Sequence, residues 1–367
     1  MKKIIILHDT FLYKWWGERL IIMIAKILNT DIASWFFSSW SFDLRKEWFK
    51  WKMISISSEI FKKWFRHIKL KLSFLFKTKF ISNYDIIIFS WDSISAVRNC
   101  NKNQKKIYYC HTPPRYLYDL HNLYCQKVSF FIKPFFKIFC FIFKYMYEKD
   151  IKKMDLIFTN SKNTQNRIKK YLNVDSIVLY PPVDLDVFKY NQTLDYYLSF
   201  ARLADVKRVD FIVKAFLKIP NKKLIVIYWE NDPSKEKIFE IAKNAKNIEF
   251  ITLPWNIWFN EYISNCIATI YIPINEDFWM SPVESMASWK PVIWVNEWWL
   301  KETINEKTWI LLKENFDLND LIDAINFMSK EKSISMRKDC ENKAKYFSIK
   351  KFDKKLKDIL WLNHDIN

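Results

Sequence analysis

The sequence predicts an α/β protein built from two domains, each with a central parallel sheet. Short apolar runs alternate with amphipathic helical stretches along most of the 367 residues, which is the pattern of parallel-sheet domains. A chain of this length usually forms two domains, and a hydrophobic content of 50% is enough to fill two cores. The pair Pro181-Pro182 interrupts the alternation near the middle and predicts the linker between the domains.

The first domain is predicted to span residues 1–182 and to begin with a buried strand. The opening MKKIIILHDT has a basic pair followed by an apolar run that is too short for a signal peptide. Helical stretches fill the gaps between this run and the later apolar runs. The predicted strands are residues 3–7, 32–37, 85–90, 106–110, 155–159 and 176–179.

The second domain is predicted to span residues 183–345 and to repeat the same alternation of strands and helices. Two Rossmann-like halves joined by a short linker form a cleft, and the ligands of such sheets bind at the carboxyl ends of the strands. We therefore expect the active site in that cleft. The predicted strands are residues 197–201, 223–228, 247–251, 268–272 and 291–295.

The charge of the chain is strongly basic. Lysine and arginine outnumber aspartate and glutamate by 59 to 40, which gives a formal net charge of +19. This excess favours nucleotide phosphates, anionic lipid headgroups or nucleic acid as partners, and an AT-rich genome would also enrich lysine. Because no nucleic-acid-binding motif accompanies the charge, we do not expect nucleic acid as a partner. The six cysteines lack metal-binding spacing and are interpreted as reduced and cytosolic.

Two segments interleave aromatic residues with lysines, at residues 61–80 and 128–147. Neither predicts a transmembrane span, because Lys133 and Lys144 interrupt the second segment and Pro134 would kink it. Basic-aromatic amphipathic helices often lie on a membrane surface. The alternative is a core helix flanked by solvated lysines, and the sequence leaves both interpretations open.

Glycine is almost absent from the chain. It has one glycine and 18 tryptophans, whereas ordinary usage would give about 25 glycines. Tryptophans stand where turns predict glycine, as in Trp289 of MASWKPVI, Trp309 of EKTWILL and the pair Trp298-Trp299. The two counts together, 19, make an ordinary glycine total for a slightly glycine-poor protein. We interpret the tryptophans as glycines encoded by UGA; the alternative is a protein that is truly rich in tryptophan.

The string EDFWMSPVE, from Glu276 to Glu284, is the strongest motif. Its spacing places Glu276 in a strand-to-helix loop and Glu284 in the first turns of the next helix. The free backbone N–H groups at the start of a helix bind anions, and carboxylates there accept hydrogen bonds from sugar hydroxyls. With glycine for tryptophan the string resembles the EX7E motif of family 4 glycosyltransferases. The resemblance implies that Glu276 contacts the donor sugar and Glu284 the ribose. It also places four residues between them in the donor site: Phe278, Trp279, Met280 and Ser281.

A basic pair, Arg202 and Lys207, follows the first predicted strand of the second domain in SFARLADVKRVDF. An arginine makes a forked contact with a diphosphate and a lysine acts as a point charge, so the pair can neutralise a leaving diphosphate. The string is similar to the RL...K element of the same family, which gives both residues that role.

The string KWWGERL follows the first strand. With glycines at Trp15 and Trp16, beside Gly17, it resembles the glycine-rich loop of the family, whose backbone N–H groups approach the donor phosphate. True tryptophans at positions 15 and 16 would fill that space.

The string YYCHTPPRYLYDL resembles the CHTPxRYxWD signature of bacterial family 4 mannosyltransferases that build surface polysaccharides, with Tyr118 in place of the usual tryptophan. His111 follows a predicted strand and would face the sugar in the cleft. Arg115 and Asp119 are expected to hold this loop or to meet the acceptor.

The resemblance covers most of the chain and implies a GT-B fold, two Rossmann-like domains that face each other across a cleft. Residues 346–367 would form a C-terminal helix that returns to the N-terminal domain. The implied reaction transfers mannose from GDP-mannose, with retention, to a glycan or lipid-linked acceptor. The nucleotide sugar is the substrate, and we expect no cofactor and no metal. The expected location is the cytoplasm, including the inner face of the membrane.

Two alternatives remain. One is a GT-B transferase that uses a UDP-sugar. The other, which applies if the tryptophans are real, is a catalytically dead nucleotide-binding or membrane scaffold, because Trp15, Trp16 and Trp279 would crowd the donor site.

Overall fold

The structure is a computed structural model that divides into two compact units, Met1–Tyr180 and Pro181–Asn367. The division falls immediately before the proline pair that predicts the linker. We call these the first unit and the second unit. The residues described are 2–12, 16–39, 41–42, 50–58, 66–252, 259–274, 280–295 and 308–362, without the side chains of Trp309 and Leu362.

The described residues of the first unit form a seven-stranded parallel sheet. Its strands are β1 (Ile4–His8), β2 (Asp31–Ser34), β3 (Met53–Ser55), β4 (Ile86–Ser90), β5 (Lys105–Cys110), β6 (Leu156–Thr159) and β7 (Ile177–Val178). They lie in the order β3-β2-β1-β4-β5-β6-β7. Every residue of β1 and β4 is buried, because the strands of a parallel sheet are covered on both faces. Continuous isoleucine runs therefore form strands here.

Helices connect these strands. α5 shows how the local sequence sets its bounds, because the Ser161 side chain accepts a hydrogen bond from the Thr164 backbone N–H and Asn173 ends the helix at a φ of 51°. A 3-10 helix, Trp91–Asn99, follows β4 directly. The α-helices of the first unit are α1 (Trp16–Leu28), α2 (Arg66–Phe76), α3 (His121–Lys127), α4 (Lys133–Ile151) and α5 (Lys162–Leu172).

In the part of the second unit that the structure describes, the strands form a six-stranded parallel sheet. Its strands are β8 (Tyr197–Ser199), β9 (Leu224–Tyr228), β10 (Ile248–Thr252), β11 (Thr269–Tyr271), β12 (Val292–Val295) and β13 (Trp309–Leu312). They lie in the order β10-β9-β8-β11-β12-β13. In each sheet, the strand that comes first in that unit lies third from one edge, and the direction of the strand order reverses at this strand, as in Rossmann folds. The predicted fold class, α/β with two Rossmann-like parallel sheets, is confirmed.

The last helix begins close to the start of the second unit. The Val183 backbone N–H donates to the Phe347 carbonyl at 2.7 Å, two residues before the helix starts. The predicted return of residues 346–367 to the N-terminal domain stays a prediction. The helices of the second unit are α6 (Val209–Lys218), α7 (Lys235–Ile241), α8 (Phe259–Asn265), α9 (Ser281–Ala287), α10 (Leu318–Phe327), α11 (Lys330–Ala344) and α12 (Ile349–Leu362).

Two strands differ from the sequence prediction, which did not include them. β3 is a three-residue edge strand with Met53 and Ser55 exposed, so it has no apolar run to mark it. β13 begins at Trp309 and pairs in parallel with β12. Both strands lie at sheet edges, where pairing with one neighbour is enough to define them.

Candidate active site

Three polar side chains meet at the carboxyl edge of the first sheet. His8 ends β1, Ser90 ends β4, and His111 follows β5 directly. The Ser90 hydroxyl lies 3.1 Å from His8 Nδ1 and 3.0 Å from His111 Nε2. All three residues are buried. Neighbouring parallel strands end at the same edge, so residues far apart in the sequence form one hydrogen-bonded group.

Gly17, in the first turn of α1, approaches this group. A Cβ atom at position 17 would lie 3.2 Å from Trp91 Nε1 and 4.0 Å from His111 Cε1. The Trp91 indole stacks on the His111 imidazole with ring centroids 4.8 Å apart and planes 7° apart. The structure thus brings together two of the residues selected from sequence, Gly17 and His111, and places an indole between them. Trp16 begins α1 and packs under the Arg19 guanidinium.

Two tryptophans have backbone conformations that favour glycine. Trp91 has a φ of 56° and Trp289 a φ of 59°. A bulky side chain rarely adopts this left-handed region, whereas glycine adopts it without a steric penalty. Trp289, in the turn after α9, is one of the positions at which the sequence predicts glycine. Trp91 was not selected from sequence.

Burial controls the charge of the first-unit group. Burial lowers the pKa of His111 to about 3, so its imidazole is neutral at pH 7. Burial, and then the neighbouring His111, lowers the pKa of His8. The adjoining Asp9 carboxyl, whose side chain is 25% exposed, has Oδ1 at 3.4 Å from His8 Nε2. Burial, followed by repulsion from Asp92, raises the pKa of Asp9 to about 7.

Arg115 and Asp119 hold the loop after β5. Arg115 Nη2 donates to Asp119 Oδ2 at 2.7 Å, and Arg167 Nη2 of α5 lies 3.3 Å from the same oxygen. Tyr118 stacks on Tyr171 with centroids 5.0 Å apart. These contacts fit the loop-holding role that the sequence suggests; contact with an acceptor stays a prediction.

In the second unit, Arg202 lies shortly after β8 and is tied to the loop after β9. Its Nε lies 3.3 Å from Asp232 Oδ1. The other oxygen of this carboxylate accepts hydrogen bonds from the backbone N–H groups of Leu203, at 2.9 Å, and Trp229, at 3.1 Å. Asp232 therefore connects the two loops at the carboxyl edge of the sheet and holds Arg202 there.

Lys207 occupies a more enclosed position. It ends the 3-10 helix Asp205–Lys207, and its Nζ donates to the Tyr271 hydroxyl at 2.9 Å. Tyr271 ends β11, which pairs with β8, and its ring packs against the buried Trp294 indole at 4.8 Å. An ammonium group held at this edge can meet an anion without a large reorganisation.

The motif acid Glu284 lies in α9, whose seven residues are all buried. Met280 and Ser281 begin the helix, and the Glu284 backbone N–H donates to the Met280 carbonyl at 2.8 Å. Only 1% of Glu284 is exposed, so a hydrogen bond from its carboxylate to a ligand would form away from bulk water. Four other predicted site residues lie outside the described residues: Trp15, Glu276, Phe278 and Trp279.

Sequence reasoning missed four residues that position the site. Ser90 bonds to His111 and His8 bonds to Ser90, whereas Asp232 holds Arg202 and Tyr271 holds Lys207. The available signal was positional: each lies at or just after the end of a strand, as in LHDT and FSWDS for the first two. No group of three His, Cys, Asp or Glu side chains with metal-binding geometry occurs in the described part of the chain.

The outer face of α4 carries large apolar side chains. Phe135, Ile138, Phe141 and Tyr145 are 59% to 76% exposed, and Phe131, just before the helix, is 83% exposed. The opposite face is buried through Cys140, Phe143 and Tyr147. We call the first set the α4 outer face. Among the helices described, none is long and apolar enough to cross a membrane.

Comparison with known protein families gives a match for part of the chain. Residues 184–347 match the family described as Glycosyl transferases group 1. The matched residues all lie in the second unit. This match covers the predicted basic pair and the Glu276 to Glu284 string, and it supports glycosyltransferase as the class of enzyme. A search of curated proteins finds no match.

Solved structures resemble nearly the whole chain, including the first unit. HepE of Anabaena, in complex with UDP and glucose, has a TM-score of 0.72 at 13% identity, over 98% of this chain and 99% of that one. Sucrose-phosphate synthase of Thermosynechococcus elongatus has 0.76 at 14%, over 100% of both chains. The lipopolysaccharide outer core galactosyltransferase WaaB has 0.69 at 13%, over 98% and 99%. At these identities the likeness shows the fold, which is the GT-B glycosyltransferase fold.

Proposed function

We propose that the protein transfers a hexose from a nucleotide sugar to a glycan or lipid-linked acceptor, with retention of the anomeric configuration, as family 4 enzymes do. The observation that carries the proposal is the basic pair in the second unit. Asp232 holds Arg202 and Tyr271 holds Lys207 at the carboxyl edge of the sheet, where Rossmann-like sheets bind nucleotides.

The two cations stabilise the charge that develops on the leaving diphosphate. Lys207 supplies a point charge and Arg202 a forked donor, so the reaction needs neither a protein nucleophile nor a bound metal. Glu284 accepts a hydrogen bond from the ribose. Glu276 and His111 contact the donor sugar, and Gly17 leaves room for a phosphate. Each of these roles is part of the proposal.

The donor we propose is GDP-mannose. The string YYCHTPPRYLYDL supports it through its resemblance to bacterial mannosyltransferases. A UDP-sugar is the second candidate, and the HepE structures with UDP, with UDP-glucose and with UDP and glucose favour it. A release assay separates the two donors directly.

We also propose that the enzyme acts at the inner face of a membrane, as a peripheral protein bound through the α4 outer face. Exposed aromatic side chains on this face would enter the headgroup region, and Lys137, Lys144 and Lys149 are exposed beside them on the same helix. This charge complements anionic lipid. An acceptor carried on a lipid would then be available at the same surface.

The tryptophans are proposed to be glycines in the native protein, encoded by UGA. The counts of glycine and tryptophan support this, and so do the left-handed backbones of Trp91 and Trp289. With glycine at 91, the indole that stacks on His111 would be absent and the space beside Gly17 would open to a ligand. UGG codons at these positions would disprove the proposal.

The proposed reaction is tested with protein that has glycine at its tryptophan positions. Release of GDP from GDP-mannose and of UDP from UDP-glucose is measured with a lipid-linked acceptor, and product NMR gives the anomeric configuration. We expect GDP release that Glu276→Ala abolishes. Release of UDP alone would show that the donor is a UDP-sugar and not GDP-mannose. Inversion of the anomeric configuration would contradict the assignment to family 4. No nucleotide binding would favour the scaffold alternative.

A further inference from the structure

The group at the carboxyl edge of the first sheet forms a continuous path from Asp9 to His111. Asp9 Oδ1 lies 3.4 Å from His8 Nε2, His8 Nδ1 lies 3.1 Å from Ser90 Oγ, and Ser90 Oγ lies 3.0 Å from His111 Nε2. Asp9 is the only member with more than slight exposure among these four residues. The remaining ring nitrogen of His111, Nδ1, has no hydrogen-bond partner among the described residues.

The serine hydroxyl gives this path a direction. It has one hydrogen to donate, and each neutral imidazole has one N–H and one bare nitrogen. If Ser90 donates to His8 Nδ1, it must accept from His111 Nε2–H, which leaves Nδ1 of His111 bare. If Ser90 donates to His111 Nε2, then His111 carries its proton on Nδ1. The hydroxyl therefore couples the tautomers of the two histidines.

We propose that His8 and Ser90 are positioning residues through which the protonation of Asp9 sets the tautomer of His111. With Asp9 ionised, the carboxylate favours a proton on His8 Nε2, Ser90 donates to His8, and His111 Nδ1 is an acceptor. With Asp9 protonated, the order reverses and His111 Nδ1–H is a donor. The inference rests on the proposed function in one respect, that His111 contacts the sugar.

The change is balanced by one proton. A solvent proton binds His111 Nδ1, the Nε2 proton of His111 moves to Ser90 Oγ, the Ser90 proton moves to His8 Nδ1, and the His8 Nε2 proton moves to Asp9. Neither imidazole gains a net charge, in keeping with burial that lowers the pKa of both. A sugar hydroxyl both donates and accepts, so either tautomer can bind it, with different partners for that hydroxyl.

The surroundings place this change near neutral pH. Burial and Asp92 raise the pKa of Asp9 to about 7, against the Thr10 backbone N–H at 2.7 Å and the Arg66 guanidinium, which lower it. Asp92 is itself paired with Lys71 at 2.9 Å. Apart from burial, the group that lowers the pKa of His8 is the neighbouring His111. The tautomers along the path therefore change near neutral pH, the pH at which a cytosolic enzyme works.

The test reads the imidazole nitrogens of His111 by NMR of histidine-¹⁵N protein, with the signals assigned by their loss in His111→Asn. Between pH 6 and pH 8, values that bracket the pKa of about 7 given for Asp9, we expect Nδ1 of His111 to change from proton-bearing to bare. Ser90→Ala removes the coupling and should abolish the change. Asp9→Asn removes the titrating carboxyl, so the tautomer of His111 should be the same at both pH values. Ser95→Ala, a buried serine of the following 3-10 helix, is the matched control and should keep the change.

A His111 tautomer that is constant in the unmodified protein would overturn the proposal, and so would a change that persists in either Ser90→Ala or Asp9→Asn. If Ser90→Ala does not fold, the test uses Ser90→Thr and Asp9→Asn instead. Ser90→Thr keeps the hydroxyl and should keep the change, whereas Asp9→Asn should lose it. The pH profile of kcat/KM gives a second readout, with an inflection near pH 7 that both disruptive variants lose. A tautomer change without sugar transfer would refute the proposed function alone; transfer with a fixed tautomer would refute only the path.

Discussion

Trp289 has a left-handed backbone in the turn between α9 and β12, with a φ of 59°. Its indole stacks on Tyr190 at 5.8 Å, so replacing it changes both packing and backbone strain. Comparing glycine with alanine at this position isolates the backbone, because both substitutions remove the indole. The left-handed region costs an L-residue about 1–2 kcal/mol, a penalty that glycine avoids.

We predict that Trp289→Gly is more stable than Trp289→Ala by about 1 kcal/mol. At Trp294, a buried position inside β12, the order should reverse, because glycine in a strand is less stable than alanine by about 0.5–1 kcal/mol. Urea unfolding of the four variants measures both differences. Alanine equal to or better than glycine at 289 would contradict the assignment of this position to glycine.

Asp9 makes a prediction about pH and stability. Its pKa is about 7 in the folded chain and 3.8 ordinarily, so between these values the folded state holds a proton that the unfolded state has lost. The contribution of Asp9 to the free energy of unfolding therefore falls as pH rises from about 4 to 7. Asp9→Asn lacks this dependence.

We expect the melting temperature of Asp9→Asn, relative to the unmodified protein, to rise from pH 5 to pH 7 and then to level off. Circular dichroism melts over this range measure the difference. A difference for Asp9→Asn that is flat, or that falls with pH, would show that the carboxyl is not held protonated.

At the scale of elements, the sequence predicts strands well where parallel pairing demands a continuous apolar run. The isoleucines of β1 and β4 are examples. It fails at β3, whose exposed edge needs no such run, and at β13, which begins with Trp309. The motifs predict Gly17 and His111 as site residues, and the structure brings them together. The hydrogen-bonded group that includes His111 could not be predicted, because His8 and Ser90 are 82 residues apart and only the strand order makes them neighbours.

Because the α4 outer face exposes large apolar side chains beside lysines, we predict that the protein binds anionic vesicles through this face. We expect Phe131→Ser, Phe135→Ser and Phe141→Ser together to weaken binding at least about tenfold, because each phenyl group contributes roughly 1.5–3 kcal/mol when it leaves water. Vesicle sedimentation measures binding, and unfolding measures whether the variant keeps its stability. Binding by the unmodified protein should also fall as salt is raised.

The matched control is Phe327→Ser in the second unit, where Phe327 is 63% exposed. It removes an exposed phenyl group of similar size from another surface, so vesicle binding should not change. Equal loss in the control and the triple variant, or no loss in either, would remove α4 as the membrane-binding element.

At the scale of the whole molecule, two Rossmann-like sheets carry different parts of the proposed chemistry. The second unit holds the basic pair and Glu284, and the first unit holds Gly17 and His111. The carboxyl edges of the strands position every one of these groups except Gly17 and Glu284, which lie in the helices that follow.

The most direct test of this account is the kcat/KM for nucleotide release from the donor, measured for Lys207→Met and Lys214→Met in glycine-restored protein with a lipid-linked acceptor. Lys214 lies on α6, 47% exposed and paired with Asp210 at 3.6 Å, so it is a matched lysine outside the site. We predict a loss of about a hundredfold or more for Lys207→Met, because a preorganised charge at the leaving group contributes about 2.7–4 kcal/mol, and at most about a twofold change for Lys214→Met. Equal activities in the two variants would contradict the account.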